Sequence, residues 1–251
     1  MLAFWGWLGR FLAFAARSVA AMPGALVKRP GEVLRQFDRV TWGSLPILLA
    51  AGVSVGLVTW LQTHRLLVAQ GAEEYLPSVL TAAVLVETGP LLASLLVAGR
   101  LGAGLAAELG SMTLTEEIDA REVLGAPAIP TLVAPRAIAC MVAVPLLTVV
   151  LDAAALLGAL VAELAAGTLS PELFGNRALD YLYLSDVLPA TLKTALFGLL
   201  IGLVGCRTGL DADRSTEAVG RAATLGVVRA MLAVFAANVV IVPIIQALMV
   251  K

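Results

Sequence analysis

Residues 108–125 read ELGSMTLTEEIDAREVLG, an acidic, helix-prone stretch in a chain otherwise rich in alanine, leucine, valine and glycine. Five carboxylates lie within it, and Arg121 is its only basic residue. Long apolar runs flank it, at about residues 76–99 and 137–162. Each run is close to the roughly 20 apolar residues that a helix needs to cross a bilayer. The stretch is therefore predicted to be a short helix in a loop between two membrane spans.

The composition also indicates a membrane protein. Of 251 residues, 60% are hydrophobic and 14% are charged, and a soluble domain usually carries about 25% charged residues. The net charge of −1 predicts no nucleic-acid partner. Cys140 and Cys206 fall in apolar runs, so both are predicted to be small buried or lipid-facing side chains.

Three more apolar runs, at about residues 45–62, 187–206 and 227–250, complete a predicted set of five spans. The loops on one side hold thirteen of the 17 basic residues and those on the other side hold three. Because cytoplasmic loops are enriched in lysine and arginine, the N-terminus is predicted to be cytoplasmic and the C-terminus external. The thirteen are Arg10, Arg17, Lys28, Arg29, Arg35, Arg39, Arg100, Arg121, Arg136, Arg207, Arg214, Arg221 and Arg229, and the three are Arg65, Arg177 and Lys251.

The first 42 residues are predicted to form interfacial helices, and residues 43–251 the five-span domain. A first amphipathic helix would lie at the cytoplasmic leaflet, with a cleaved signal peptide or a short sixth span as alternatives. KRPG at residues 28–31 is predicted to break the chain before a second short helix, EVLRQFDRV. The first helix is indicated by aromatic residues at helical spacing and two arginines on one side: Phe4, Trp7, Phe11, Phe14, Arg10 and Arg17.

Small residues recur at every fourth position in two of the spans, a spacing that lets helix backbones approach closely in lipid. The first ridge consists of Ala98, Gly102 and Ala106, and the second of Thr194, Gly198, Gly202 and Cys206.

The sequence gives little indication of hydrolase chemistry. His64 is the only histidine, and G-x-x-x-x-G-K-[ST] does not occur. G-x-S-x-G occurs once, as GVSVG at residues 52–56, but it lies inside the predicted span 45–62 and not at the strand-to-helix turn that a nucleophile elbow needs. The chain is therefore predicted not to be an enzyme, and any ATP hydrolysis would take place on another chain.

Residues 87–139 resemble the MlaE/YrbE permease family, the membrane subunits of Mla and Mce lipid ABC transporters. The family pattern runs E-x-G-P, AGR-x-G, AELG-x-M, TEQIDA, G and PR. The resemblance extends over about residues 30–245. The matching residues are Glu87, Gly89, Pro90, Ala98 to Arg100, Gly102, Ala107 to Gly110, Met112, Thr115, Glu116, Ile118 to Ala120, Gly125, Pro135 and Arg136.

The resemblance implies an all-α polytopic fold with an interfacial N-terminal helix, five transmembrane helices and a cytoplasmic coupling helix between helices two and three. It implies a second permease copy, as a homodimer or a paralogous heterodimer. It also implies two ATPase subunits that bind ATP and Mg²⁺, and an Mce-domain protein outside the bacterial inner membrane. No cofactor is expected on this chain.

The coupling helix is predicted at about residues 111–125, seated on the ATPase. Thr113 or Thr115 would cap its start and Gly125 would end it. Glu116 is predicted to be the main electrostatic anchor, while Glu117 stands where the family has glutamine. A solvated loop helix is the alternative. The ATPase-coupling residues are predicted to be Glu108, Gly110, Met112, Thr115, Glu116, Glu117, Ile118 and Asp119, and Val123 would also pack into the partner.

Glu87, Asp152 and Lys193 fall within the spans, where an ionised group costs roughly 3 kcal/mol or more. Many family members have arginine at the position of Val86 and an acid at that of Asn238, so Glu87 and Lys193 are predicted partners. Asp152 is a competing partner for Lys193. The four polar residues, Glu87, Asp152, Lys193 and Asn238, either form a polar element that moves during transport or belong to a helix-packing ion pair.

The resemblance implies a permease that moves lipid, with phospholipid as the first expectation and sterol or fatty or mycolic acid uptake as alternatives. A secondary transporter is disfavoured because five spans do not divide into equal halves. A non-transporting anchor for an Mce-domain protein would not need an acidic coupling segment.

Overall fold

The structure is a computed structural model that describes residues 2–180 and 184–249, and side chains at residues 6, 9–180 and 187–247. These residues are almost entirely helical and include no strand, which confirms the all-α fold class. The side chains of Phe4 and Trp7, the end of the fifth predicted span at residue 250, and Lys251 lie outside the described residues.

The helices follow one another with short connections. In chain order they are α1 (Leu2–Lys28), α2 (Pro30–Val68), a 3₁₀ turn (Glu73–Tyr75), α3 (Leu76–Ala82), a π-helical turn (Ala83–Thr88), α4 (Gly89–Leu114), α5 (Glu117–Val123), a second π-helical turn (Ile129–Val133), α6 (Ala134–Ala166), α7 (Pro171–Asp180), α8 (Leu184–Leu210) and α9 (Thr216–Met249).

Six helical segments in the described part of the chain are long and apolar enough to cross a membrane, by length and composition. Five of them coincide with the predicted spans. The sixth, Gly9–Lys28, is the N-terminal segment that the sequence predicts to lie at the leaflet. A helix is common to the interfacial and spanning interpretations, so its placement at the leaflet remains a prediction.

The helix breaks at Arg29 (φ −140°, ψ 49°), as KRPG predicts. The prediction of a second, separate short helix after this break is wrong. EVLRQFDRV forms the first turns of α2, which runs without interruption for 39 residues, or roughly 58 Å. Arg100 of α4 helps to hold this stretch, because its guanidinium donates to Ser44 Oγ at 3.0 Å and to the Val40 carbonyl at 3.4 Å.

The bundle is arranged around α6 and α8. Helix α6 packs against α2 and α8, while α4 packs against α8 and α9. Fully buried side chains at these contacts include Leu48, Leu147, Phe197 and Ile201. The order α2, α6, α8, α4 and α9 places the polar in-span residues on neighbouring helices.

Glycines set how closely the helices approach. A Cβ on Gly102 would lie 2.7 Å from the Gly226 carbonyl oxygen of α9, and one on Gly198 would lie 2.3 Å from that of Cys140 in α6. Gly202 faces Ala137 of α6 in the same way, with 2.9 Å to its Cα. Ala98 and Ala106 are fully buried.

A third close approach, between α2 and α6, escaped sequence reasoning although Gly52 and Gly56 carry the four-residue spacing. Gly56→Ala is expected to destabilise the protein by about 1–3 kcal/mol, the usual cost of overpacking. The reason is that its Cβ would lie 1.8 Å from the Ala155 carbonyl oxygen. Thermal unfolding of the purified protein measures the effect.

Gly104→Ala is the matched control for that substitution. Gly104 is also helical. Apart from its chain neighbours and the backbone of its own helix, no heavy atom of the described residues lies within 4 Å of a Cβ added there. Alanine is favoured over glycine in a helix by about 1 kcal/mol, so this variant should be unchanged or more stable. Equal unfolding midpoints for the two variants would contradict the close α2–α6 contact.

Candidate functional site

Three polar side chains from different elements meet within the span region, and we call them the polar cluster. Glu87 lies in the first π-helical turn, Lys193 in α8 and Asn238 in α9. Lys193 Nζ is 2.8 Å from Glu87 Oε2. Asn238 Nδ2 donates a hydrogen bond to Glu87 Oε1 at 2.9 Å. The structure thus brings Glu87 and Lys193 together and adds Asn238 as a third member.

Pro90 explains why the helix widens where Glu87 lies. Proline has no N–H, so it cannot donate to the carbonyl of Val86 four residues earlier. The Gly89 N–H instead reaches back five residues to the Val84 carbonyl, which is the hydrogen bond of a π-helical turn. Lys193 Nζ donates to the Val86 carbonyl at 3.3 Å and so satisfies the acceptor that Pro90 leaves free.

The two charges of the cluster differ in exposure. The Lys193 side chain is 3% exposed and that of Glu87 is 44% exposed. Glu87 and Lys193 border a cavity of about 150 Å³ whose other walls are mostly apolar. Those walls are Val86, Ala190, Val242, Ile245 and Gln246. The arrangement offers both an acceptor and a donor at the edge of an apolar space.

Asp152 of α6 does not join the cluster. It is buried, forms no ion pair within the described residues, and its Oδ1 has no hydrogen-bond partner there. A Cβ on Gly89 would lie 1.7 Å from that oxygen, so Asp152 packs directly against the start of α4. Lys193 therefore pairs with Glu87 and not with its predicted competitor.

The acidic segment, residues 108–125, is two helices and not one. Helix α4 continues to Leu114, Glu116 adopts a left-handed conformation (φ 59°), and α5 then runs over Glu117–Val123. The predicted cap is wrong, because Thr113 and Thr115 donate back to carbonyls of α4. Gly125 has φ 75° and follows the end of α5, as predicted.

Glu116 lies directly before α5, and it is paired within the chain. Arg214 of the α8–α9 loop is 3.0 Å from Glu116 and also forms an ion pair with Asp119. This double contact ties α5 to the loop that enters α9. We call it the Arg214 clamp.

Other carboxylates of the acidic segment also have partners in the chain. Glu117 pairs with Arg121 at 2.6 Å, and Glu108 pairs with Arg136 at 2.6 Å and with Arg39 at 3.1 Å. Only Glu122 among the five has no ion pair or hydrogen bond from a described side chain. The segment is therefore largely neutralised by its own chain.

Two apolar residues at the end of α5 remain uncovered, and we call Val123 and Leu124 the apolar tip. They are 88% and 83% exposed. Ile118, predicted to contact the ATPase, is buried in the core of this chain. Gly110 faces the α8–α9 loop, where its Cβ would lie 3.6 Å from that of Ala212, and Met112 is half-buried.

Sequence reasoning missed Arg214 and Glu163. Glu163 of α6 is 1% exposed and accepts hydrogen bonds from Trp60 Nε1 at 2.8 Å and the Leu169 N–H at 2.7 Å. It is fully engaged in holding the end of α6, so it is a structural residue. Arg214 carries no signal in sequence, since no spacing rule relates residues of two different loops.

Comparison with known proteins gives relatives along most of the chain. A sequence model of the family described as Permease MlaE matches residues 33–244. A probable ABC transporter permease protein of Synechocystis sp. is 34% identical over 207 residues, 82% of this chain and 79% of the relative. One from Rickettsia typhi is 30% identical over 231 residues, 91% and 89% of the two chains.

A plant protein is also similar. Protein TRIGALACTOSYLDIACYLGLYCEROL 1, chloroplastic, of Arabidopsis thaliana is 30% identical over 210 residues, 84% of this chain and 60% of the relative. The range matched by the family model contains both the polar cluster and the acidic segment.

Proposed function

This chain belongs to the MlaE permease family of ABC transporter permeases, and we propose that it moves lipids, phospholipids first, between the membrane and an Mce-domain partner. The polar cluster carries the proposal. Glu87 and Lys193 offer an acceptor and a donor to a polar headgroup, at the edge of a cavity whose other walls are mostly apolar and suit acyl chains. One relative bears the name of a diacylglycerol lipid.

ATP hydrolysis is proposed to take place on two separate ATPase subunits, which would bind ATP and Mg²⁺. The permease family is not an enzyme family, and this sequence lacks the G-x-x-x-x-G-K-[ST] loop that holds nucleotide phosphates. This chain would then respond to motion of its partners.

The acidic segment is proposed to receive that motion through the apolar tip. The Arg214 clamp joins α5 to the loop between α8 and α9. Helix α8 carries Lys193 and α9 carries Asn238, while Glu87 lies in the π-helical turn directly before α4. A push on α5 would therefore shift the partners of Glu87 relative to Glu87 itself.

The chain is a multi-pass membrane protein, and we propose the bacterial inner membrane, with the N-terminus and the acidic segment cytoplasmic and the C-terminus external. The uneven distribution of basic residues supports this orientation. A second permease copy, identical or paralogous, completes the proposed assembly. Labelling from outside should modify Leu173→Cys and spare Val123→Cys, and the reverse pattern would contradict the orientation.

Reconstitution tests the function. The chain, with the ATPase that co-purifies with it, is placed in liposomes that contain a fluorescent phospholipid, and movement of the probe is followed with ATP and without. We expect movement that requires ATP. Movement of a sterol or fatty-acid probe alone would identify an alternative substrate. Intact complexes that move no probe would favour the anchoring role and overturn the proposal.

A further inference from the structure

Four arginines from separate parts of the chain converge on one cavity of about 430 Å³, which we call the arginine pocket. Arg29 lies between α1 and α2, Arg35 in α2, Arg121 in α5 and Arg136 in α6. The cavity is therefore built by tertiary packing and not by a single helix end.

Two carboxylates in the wall of the arginine pocket neutralise two of the four arginines. Glu32 pairs with Arg35 at 2.8 Å, and Glu117 pairs with Arg121 at 2.6 Å. Arg29 has neither an ion pair nor a hydrogen bond from its side chain within the described residues. The pocket therefore keeps an excess of positive charge after its own pairs are formed.

Arg136 is the buried member of the set, at 4% exposure. It donates to the Leu132 carbonyl at 2.8 Å and to Glu108 at 2.6 Å, and its Nε has no hydrogen-bond partner in the described part of the chain. Buried donors are normally satisfied. This guanidinium thus retains hydrogen-bonding capacity that its own chain does not use.

An apolar cleft of about 460 Å³ follows the same two helices. Pro30, Val33 and Phe37 of α2 face Ile138 and Val142 of α6 across it, and every lining residue is apolar. Arg29 directly precedes Pro30, and Arg136 lies two residues before Ile138. A basic pocket and an acyl-sized cleft therefore adjoin along α2 and α6.

We propose that the two together bind an anionic phospholipid, with its phosphate in the arginine pocket and an acyl chain in the apolar cleft. The planar guanidinium group of arginine binds phosphate oxygens through paired, charge-assisted hydrogen bonds. A free phosphate ion would make no use of the cleft. The lipid would contact α2, α5 and α6 at once and so hold the acidic segment in place.

This site is separate from the transport path. Met112, which lines the arginine pocket, lies near the end of α4, and Glu87 lies just before its start. At 1.5 Å per residue, the length of α4 separates the two by roughly 35 Å. The inference therefore goes beyond the proposed transport function and does not depend on it.

Binding of fluorescent phosphatidylglycerol to the purified full-length chain in neutral detergent tests the proposal, with fluorescent phosphatidylcholine as the comparison lipid. Arg29→Glu should weaken phosphatidylglycerol binding about tenfold or more, the usual effect of one lost charge-assisted contact. Arg17→Glu is the matched control, because Arg17 of α1 is exposed, as Arg29 is, but does not line the pocket. It should bind as the parent protein does.

Val142→Trp tests the cleft, because an indole there would occupy the space of the acyl chain. It should also weaken phosphatidylglycerol binding about tenfold. Val149→Trp, on the exposed surface of α6 two turns further on, is its control and should bind normally. Thermal unfolding midpoints of the four variants establish that each is folded.

Inorganic phosphate as a competitor separates a lipid from a free anion. Weak competition together with loss of binding in Val142→Trp supports the lipid. Full competition with normal binding in Val142→Trp would assign a free-anion site and overturn the proposal. Equal loss in Arg29→Glu and Arg17→Glu, or equal affinity for both lipids, would also overturn it. The assay involves neither ATPase nor transport, so its failure would leave the transport proposal standing.

Discussion

Glu87→Gln is expected to lower the stability of the purified protein by about 3 kcal/mol and to stop lipid transport. Breaking a buried ion pair costs this much because the remaining charge loses its counter-ion. Here the remaining charge is Lys193, whose side chain is 3% exposed. Thermal unfolding in nanodiscs and lipid movement in liposomes measure the two effects.

Lys193→Met should cost less than Glu87→Gln. The Glu87 side chain is 44% exposed and keeps its hydrogen bond from Asn238. The double variant should be more stable than Glu87→Gln alone, because it removes the buried ammonium as well. The expected coupling is about 0.5–3 kcal/mol, the range for residues in direct contact.

Asp152→Asn is the matched control for neutralising an acid within the spans. Asp152 is buried, as Lys193 is, but it has no ion pair in the described part of the chain. Its neutralisation leaves no opposite charge stranded, so its stability should stay within about 0.5 kcal/mol of the parent or rise. A cost equal to that of Glu87→Gln would contradict the role given to the ion pair.

The same cycle separates the two interpretations of the cluster. If the double variant regains both stability and transport, Glu87 and Lys193 form a helix-packing ion pair. If it regains stability and stays inactive, the charges take part in the movement of lipid. Strictly additive effects on stability would mean that the contact between Glu87 and Lys193 carries no energy.

The pairing of Glu87 with Lys193 could be predicted from sequence because charges within spans are few and costly. Because such charges are few, Lys193 has only two predicted acidic partners, Glu87 and Asp152. In the structure it pairs with Glu87. The sequence places Asn238 among the polar residues of the spans, at a position where relatives have an acid, but does not identify it as a partner of Glu87. Its hydrogen bond to Glu87 depends on how α9 packs on α4, which periodicity does not report.

The acidic segment was harder to predict. Its composition indicates one capped helix, but the structure divides it at Glu116, where a left-handed residue turns α5 away from α4. Arg214 fixes this geometry from a loop almost a hundred residues away in sequence. Local helix signals cannot anticipate such a contact, since propensity is a weak prior that tertiary packing overrides.

Replacement of both apolar tip residues by aspartate, Val123→Asp with Leu124→Asp, is expected to release the ATPase. Burying an exposed valine or leucine side chain in an interface contributes about 1.5–3 kcal/mol. The pair is 88% and 83% exposed, so its replacement should not unfold the permease. Affinity should fall by about a thousandfold. Co-purification and titration of the ATPase measure the loss.

Leu66→Asp controls for the general effect of placing aspartate at an exposed apolar position. Leu66 is 65% exposed and lies near the end of α2, on the side of the membrane that we propose to be external. This variant should bind the ATPase normally. A loss equal to that of the tip variant would show that solubility, and not contact, controls co-purification.

Glu116→Lys gives the sharpest comparison, because the sequence predicts Glu116 as the main anchor to the ATPase. In the structure this carboxylate is 68% exposed and already paired with Arg214. Exposed ion pairs contribute about 0–1 kcal/mol, so Glu116→Lys alone should weaken ATPase binding less than tenfold. If Glu116→Lys releases the ATPase while the tip variant retains it, the anchor is electrostatic and the apolar tip is merely exposed. If the tip variant releases it, Val123 and Leu124 form the contact with the ATPase through which we propose that motion enters this chain.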